Sequence, residues 1–139
     1  MLIYLDSSAA IKLVSDEAHS SSLREWLMLH PKATLVSSSL IHVELHRAVR
    51  RIDHALNGSV TEVLQSVNQV AMSHHILERA GSLPDAELRS LDAIHLATAL
   101  VVASLTNSSE FVLASYDQRL NLAAERAGLT AIQPGLTTH

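Results

Sequence analysis

Cysteine is absent from the 139-residue chain, which excludes disulfides and thiolate-bound metals and suits a reducing compartment. Aromatic residues make up only 3% of it, so platforms of Phe, Tyr and Trp for stacking nucleic-acid bases are not expected. Gly58, Gly81, Gly128 and Gly135 each stand alone, which leaves no glycine-rich loop to cradle a phosphate. No run is long enough to cross a membrane. The most apolar stretch, Leu91 to Leu105, is short and is interrupted by Asp92, His95, Thr98 and Ser104. The N-terminal apolar run has no basic residues ahead of it, so no secretion signal is visible and a cytoplasmic location is expected. An excess of positive charge is missing too. The net charge of −4 argues weakly against nucleic acid, although Arg47, Arg50 and Arg51 are grouped and divalent cations would offset clustered acids.

What is present is aliphatic. Hydrophobic residues reach 47% with a mean hydropathy of +0.20, and the length fits a single domain, 1–139, with a real core. Apolar runs at Met1–Leu5, Thr34–Ser38, Gln69–Ser73, Phe111–Ala114 and Thr130–Ile132 read as short strands. Helices are expected from Ser7 to about Val14, over Ala18–Leu29 before Pro31, and from Ser39 to about Asp53. Further helices are expected over Ser59–Val67 after a break at Asn57-Gly58, over His74–Gly81, from a Ser90 cap to near Leu105, and over Asp117–Ala127 before Gly128. Strands alternating with helices predict an α/β fold whose central parallel sheet is covered on both faces.

Four carboxylates stand out against this background. Asp6 ends the run Leu2-Ile3-Tyr4-Leu5, and Asp117 follows Phe111-Val112-Leu113-Ala114. Glu44 interrupts the helical stripe Ile41, Leu45, Ala48, Val49, Ile52, and Asp92 opens a helix apolar on nearly every side. Each has an ordinary alternative. Asp6 and Asp117 could cap the helices that follow them, unless Ser7 and Ser115 do so. Asp92 could complement the helix dipole, and Glu44 could pair with Arg47 or Arg51 at a stripe edge. Together they say more: two like charges 4 Å apart repel by about 4 kcal/mol at an effective dielectric of 20, so converging acids take up protons or a cation. An all-oxygen ligand set favours Mg²⁺ or Mn²⁺ over zinc.

Other constellations are weaker. His42 and His46 lie one helical turn apart, but in His-Val-Glu-Leu-His the Glu does not directly follow the first His as a zincin motif requires. His74 and His75 read as surface, and His95 as a hydrogen-bonded buried residue with a functional role as the alternative. No nucleophile elbow is present.

The residues in order resemble the PIN-domain ribonucleases, specifically the VapC-type toxins of bacterial toxin–antitoxin pairs. The matching stretches are Tyr4-Leu-Asp-Ser-Ser-Ala-Ala-Ile-Lys-Leu13, Ser39-Leu-Ile-His-Val-Glu-Leu-His-Arg-Ala-Val-Arg-Arg51, Leu88-Arg-Ser-Leu-Asp-Ala-Ile-His-Leu-Ala-Thr-Ala-Leu100, Val112-Leu-Ala-Ser-Tyr-Asp-Gln-Arg-Leu120 and Ala127-Gly-Leu129. The resemblance implies a three-layer α/β/α sandwich with four to five short parallel strands. It maps Asp6, Glu44, Asp92 and Asp117 onto an acidic quartet that holds Mg²⁺ or Mn²⁺, with Ser7 and Ser115 as supporting hydroxyls. Ser115 stands where the family more often has Thr.

The implied activity is hydrolysis of RNA phosphodiesters, in transfer or ribosomal RNA, by a toxin that a cognate antitoxin neutralises, with a homodimer as the expected assembly. Arg47, Arg50, Arg51 and Arg89 are candidates for gripping the RNA backbone. One rival reading is a catalytically inactive module that binds RNA or protein, which predicts acids missing from the quartet. Another is a phosphatase with Asp6 as nucleophile, which would want a second acid where Ser8 stands.

Overall fold

The central strands of the sheet, Leu2–Leu5 and Phe111–Ala114, are short apolar runs covered on both faces, while Asn68–Val70 at one edge is polar and largely exposed. In the computed structural model, which describes residues 1–136, the strands are β1 (Leu2–Leu5), β2 (Thr34–Ser38), β3 (Asn68–Val70), β4 (Phe111–Ala114) and β5 (Ala131–Ile132). All pairings among them are parallel, in the order β3-β2-β1-β4-β5. Positions 137–139 of the expected domain lie outside the described residues. The helices among the described residues are α1 (Ser7–Val14), α2 (Ser20–Met28), α3 (Leu40–Ile52), α4 (Asn57–Ser66), α5 (His74–Gly81), α6 (Ser90–Ser104) and α7 (Gln118–Arg126).

Alternation along β1 divides the core. Ile3 and Leu5 point to one face, where they meet Ala9 and Val14 of α1, Leu23 of α2, Ile41 and Leu45 of α3 and Val60 of α4. Tyr4 points to the other, against Leu96 and Ala99 of α6 and Leu120 and Ala123 of α7. Ile76 and Ala80 of α5 pack on Ala97, so α5 backs α6. The result is the α/β/α sandwich.

The strand order has a direct consequence for the site. The connection leaving β1 runs to β2 on one side, while β4 returns on the other side of β1, so the β1–β4 boundary is the topological switch point. Parallel α/β sheets bind ligands in the crevice outside the strand C-termini at such a point. The residues that leave these two strands are Asp6 and Ser115-Tyr116-Asp117.

The sequence pattern and the fold differ locally. Asn57-Gly58 does not break the chain: the reversal is made by a 3-10 turn at His54–Leu56, with Asp53 accepting from the Ala55 N–H at 3.0 Å. Asn57 and Gly58 are thereby free to enter the first turn of α4. Ile52 continues the stripe of α3 but lies 50% exposed, because Val49 is the last residue of that helix to reach the core. Ser90 is the first residue of α6 rather than its cap, a position taken by Arg89 with no side-chain bond. The third strand begins at Asn68 and ends at Val70, short of Ser73, whose hydroxyl instead caps α5.

Candidate active site

Asp6 caps α1 and faces the switch point at once. Its extended backbone turns the chain from β1 into α1, and the side chain is 2% exposed. Oδ1 accepts from the Ala9 N–H at 3.0 Å and from the Ser8 hydroxyl at 2.7 Å, while Oδ2 accepts from the Ser115 hydroxyl at 2.7 Å. Capping therefore does not compete with a role in the site, since the two functions use different lone pairs. Burial pushes the Asp6 carboxyl above its usual range even against these donors.

Two serines stitch the ends of β1 and β4 together. Ser8 Oγ accepts from the Tyr116 N–H at 2.8 Å, and Ser115 Oγ accepts from the Asp117 N–H at 3.1 Å. Asn121 Nδ2 donates to the Ser115 carbonyl at 2.8 Å. Tyr116 is held from outside by its hydroxyl, which donates to the Pro134 carbonyl at 2.7 Å, and by the Lys12 ammonium 4.7 Å from its ring centroid. Asp117 then caps α7, Oδ1 accepting from the N–H groups of Arg119 and Leu120 at 2.9 and 3.1 Å. Its Oδ2 makes no hydrogen bond to a described residue.

Asp92 is the acid without a partner. It lies half-buried in the first turn of α6 and makes neither hydrogen bond nor ion pair with a described residue. Its carboxyl is raised by burial first and then by repulsion from Asp117 and Asp6, with His95 and Arg89 pulling the other way. That repulsion brings three of the four acids into one electrostatic neighbourhood.

Glu44 reaches the same neighbourhood from α3. Its expected alternative partners, Arg47 and Arg51, do not bind it. Instead Oε1 lies 2.6 Å from His95 Nε2, and His95 Nδ1 lies 2.8 Å from the Tyr4 hydroxyl. His95 is 1% exposed, on the face of α6 one turn beyond Asp92. Its hydrogen-bonded, buried character was legible in the sequence, but its partners were not.

An open groove of about 460 Å³ runs beside Glu44, lined in part by Ser7, Arg47, Arg51 and Leu91. Ser7 belongs to this groove, and the hydroxyls on Asp6 are those of Ser8 and Ser115. Ser8 was missed, because its bond to the Tyr116 N–H appears only once β1 and β4 lie side by side. Arg50 is exposed and outside the groove lining, and Arg89 sits at the entrance to α6. His42 and His46 lie on the outer side of α3 with ring centroids 4.5 Å apart and planes tilted by 45°, and His74 pairs with Glu78 on the surface at 2.7 Å.

Among the described residues no three His, Asp or Glu side chains are drawn close enough to enclose a metal ion as they stand. The donor set nonetheless fits one of oxygen preference: carboxylates, no thiolate, and a surplus of negative charge that burial and mutual repulsion make costly. Asp92, Asp117 and Glu44 are each partly exposed and retain an oxygen that no described residue occupies, so they can turn toward an ion, whereas Asp6 is fixed.

Comparison with known proteins identifies the family and the fold. The PIN domain family model matches residues 3–126. The chain is 37% identical to ribonuclease VapC35 of Mycobacterium tuberculosis over 134 residues, covering 96% of this chain and 98% of that protein. It is also 37% identical to ribonuclease VapC46 of the same organism over 95% of this chain and 97% of that protein. In three dimensions it resembles VapBC2 from Rickettsia felis, solved bound to a promoter DNA fragment, with a TM-score of 0.71 and 14% identity over 96% of this chain and 99% of that one. It likewise resembles M. tuberculosis VapC20, a sarcin-ricin loop cleaving toxin, with a TM-score of 0.71 and 16% identity over 95% of this chain and 99% of that one. No helix among the described residues is long and apolar enough to cross a membrane.

Proposed function

The chain belongs to the PIN-domain family, among the VapC-type ribonucleases, and from that membership we propose a Mg²⁺- or Mn²⁺-dependent endoribonuclease toxin. The observation that carries the proposal is Asp92: an acid with no hydrogen-bond or ion-pair partner among the described residues, held among like charges at the switch point of the sheet. Such a group costs stability unless something positive meets it.

In this reading Asp6, Asp92, Glu44 and Asp117 would hold the divalent ion, which would supply a water of lowered pKa and stabilise charge on the scissile phosphate. Asp6 gives the rigid anchor, since Ser8, Ser115 and the Ala9 N–H fix both its oxygens. Ser115 sets Asp117 through its backbone N–H. Arg47 and Arg51 flank the groove beside Glu44 and would meet phosphates of a strand lying in it, with Arg89 near Asp92. The products would be a 5′-phosphate and a 3′-hydroxyl. The substrate class is transfer or ribosomal RNA, and a cognate antitoxin would neutralise the enzyme in the cytoplasm, with an Arg directed at the acids as a natural means. A homodimer of this single domain is the proposed assembly.

The test is incubation of total RNA with the purified chain in Mg²⁺ or Mn²⁺ and in EDTA, beside Asp92→Asn, with the ends of the fragments mapped. Discrete cuts bearing 5′-phosphates, seen only with metal and wild type, are expected. Cleavage that persists in EDTA or in the Asn variant would overturn the reading.

A further inference from the structure

Glu44 is the acid whose position depends most on another side chain. It projects from α3, on the opposite side of the sheet from α6, and no backbone N–H holds it as Asp6 and Asp117 are held. Its contact among the described residues is His95 Nε2 at 2.6 Å. His95 is in turn gripped from β1, where Tyr4 lies fully buried with its hydroxyl 2.8 Å from Nδ1 and its ring edge-on to the imidazole at 5.9 Å. The three side chains form one line from the central strand, through α6, to the rim of the site.

A carboxylate only accepts, so Nε2 carries the hydrogen shared with Glu44. The Tyr4 hydroxyl, 2.8 Å from Nδ1, holds the ring from its other side and fixes its orientation. Buried imidazoles beside metal sites are commonly fixed in this way.

We propose that His95 is a positioning residue for Glu44: held in orientation by Tyr4, it donates from Nε2 to Oε1, while Oε2 has no hydrogen-bond partner among the described residues. The proposal rests on the metal-centre reading above and adds to it a reason why α3 and α6 act together. The line crosses between the two helical layers at the sheet edge, so one proton-donating ring ties a ligand on one layer to a frame built on the other. Hydrogen-bond partners of ligating carboxylates typically carry 10–100-fold in metal affinity, which sets the scale expected here.

The experiment measures the dissociation constant for Mn²⁺ from the loss of the free-ion electron paramagnetic resonance signal, beside thermal unfolding in EDTA. The proteins are wild type, His95→Ala, His95→Gln, Tyr4→Phe and Asp6→Asn. His95→Ala should weaken Mn²⁺ about 10–100-fold. His95→Gln, which keeps an N–H within reach of Glu44, should recover most of the affinity, and Tyr4→Phe should lose part of it. Tyr4→Phe preserves core volume, so it decides the matter if His95→Ala does not fold. An unchanged Mn²⁺ constant in Tyr4→Phe and in both His95 variants, with only the EDTA melting temperature lowered, would overturn the proposal and leave His95 a packing residue. The metal reading stands or falls separately. It fails if wild type binds no Mn²⁺, and it survives the loss of this proposal if wild type binds and Asp6→Asn does not.

Discussion

Replacing Asp6 with Asn should stabilise the chain when no metal is present. Asp6 is 2% exposed, and burial raises its carboxyl above the ordinary 3.8 despite three hydrogen-bond donors. Each unit of that rise costs the folded state about 1.4 kcal/mol at neutral pH. The Asn oxygen can keep the bonds from Ala9 and Ser8, so the α1 cap survives. The amide nitrogen then faces Ser115, whose hydroxyl must turn from donor to acceptor, a loss of about 1 kcal/mol. At a site 2% exposed the desolvation relief is the larger effect, so the Asn variant should melt above wild type at neutral pH. The difference shrinks in acid. A carboxyl whose folded pKa lies above its unfolded one contributes stability below the unfolded value and loses it as pH rises through the folded value. Acidification should therefore narrow the advantage of Asn, because a protonated Asp6 turns the Ser115 hydroxyl from donor to acceptor just as the amide does. Thermal unfolding in EDTA at pH 7.5 and pH 4 reads the difference. An Asn variant less stable than wild type by the same amount at both values would refute the reasoning.

Three further outcomes are expected. Arg47→Ala with Arg51→Ala should lower the slope of log affinity against log salt for a non-cleavable single-stranded RNA by roughly 1.4, at about 0.7 per phosphate contact, while Arg50→Ala leaves it unchanged; equal slopes in all three would remove the groove from RNA binding. Gly135→Ala should cost about 1–3 kcal/mol in denaturant unfolding, because Gly135 has φ +96° and a Cβ there would meet His19 and Ser22 at 2.8 Å. Leu45→Ala, at a fully buried position of α3, should cost about 2–5 kcal/mol in the same assay.

The alternation of short apolar runs with helical stripes made the parallel sheet legible, because β1 and β4 are buried on both faces and read as continuous hydrophobicity, whereas the polar edge strand β3 gave only its last residue as a signal. The strand order was not legible, and it is the order that puts Asp6 beside Ser115 and Asp117. The four acids were conspicuous as charges in apolar sequence, and the resemblance tied them together. Their supports were hidden for different reasons. Ser8 is one of many serines, and only the pairing of β1 with β4 turns it toward Tyr116. His95 could be read as buried, but its bond to Glu44 crosses 51 residues and two layers. Asn57-Gly58 misled as a breaker, since the turn residues a helix excludes from its interior are tolerated in its first turn, where N–H groups lack intrahelical partners anyway.

The central claim is that the acids at the switch point gather a divalent cation, and thermal unfolding with and without Mn²⁺ tests it without knowledge of the RNA. At about 100 times its dissociation constant the ion should add roughly 2.7 kcal/mol and raise the midpoint of wild type by roughly 10 °C. Asp92→Asn, which breaks no hydrogen bond to a described residue, should fold, melt cooperatively and fail to respond. A wild type indifferent to Mn²⁺ and Mg²⁺, or an Asn variant that shifts as far as wild type, would contradict the account.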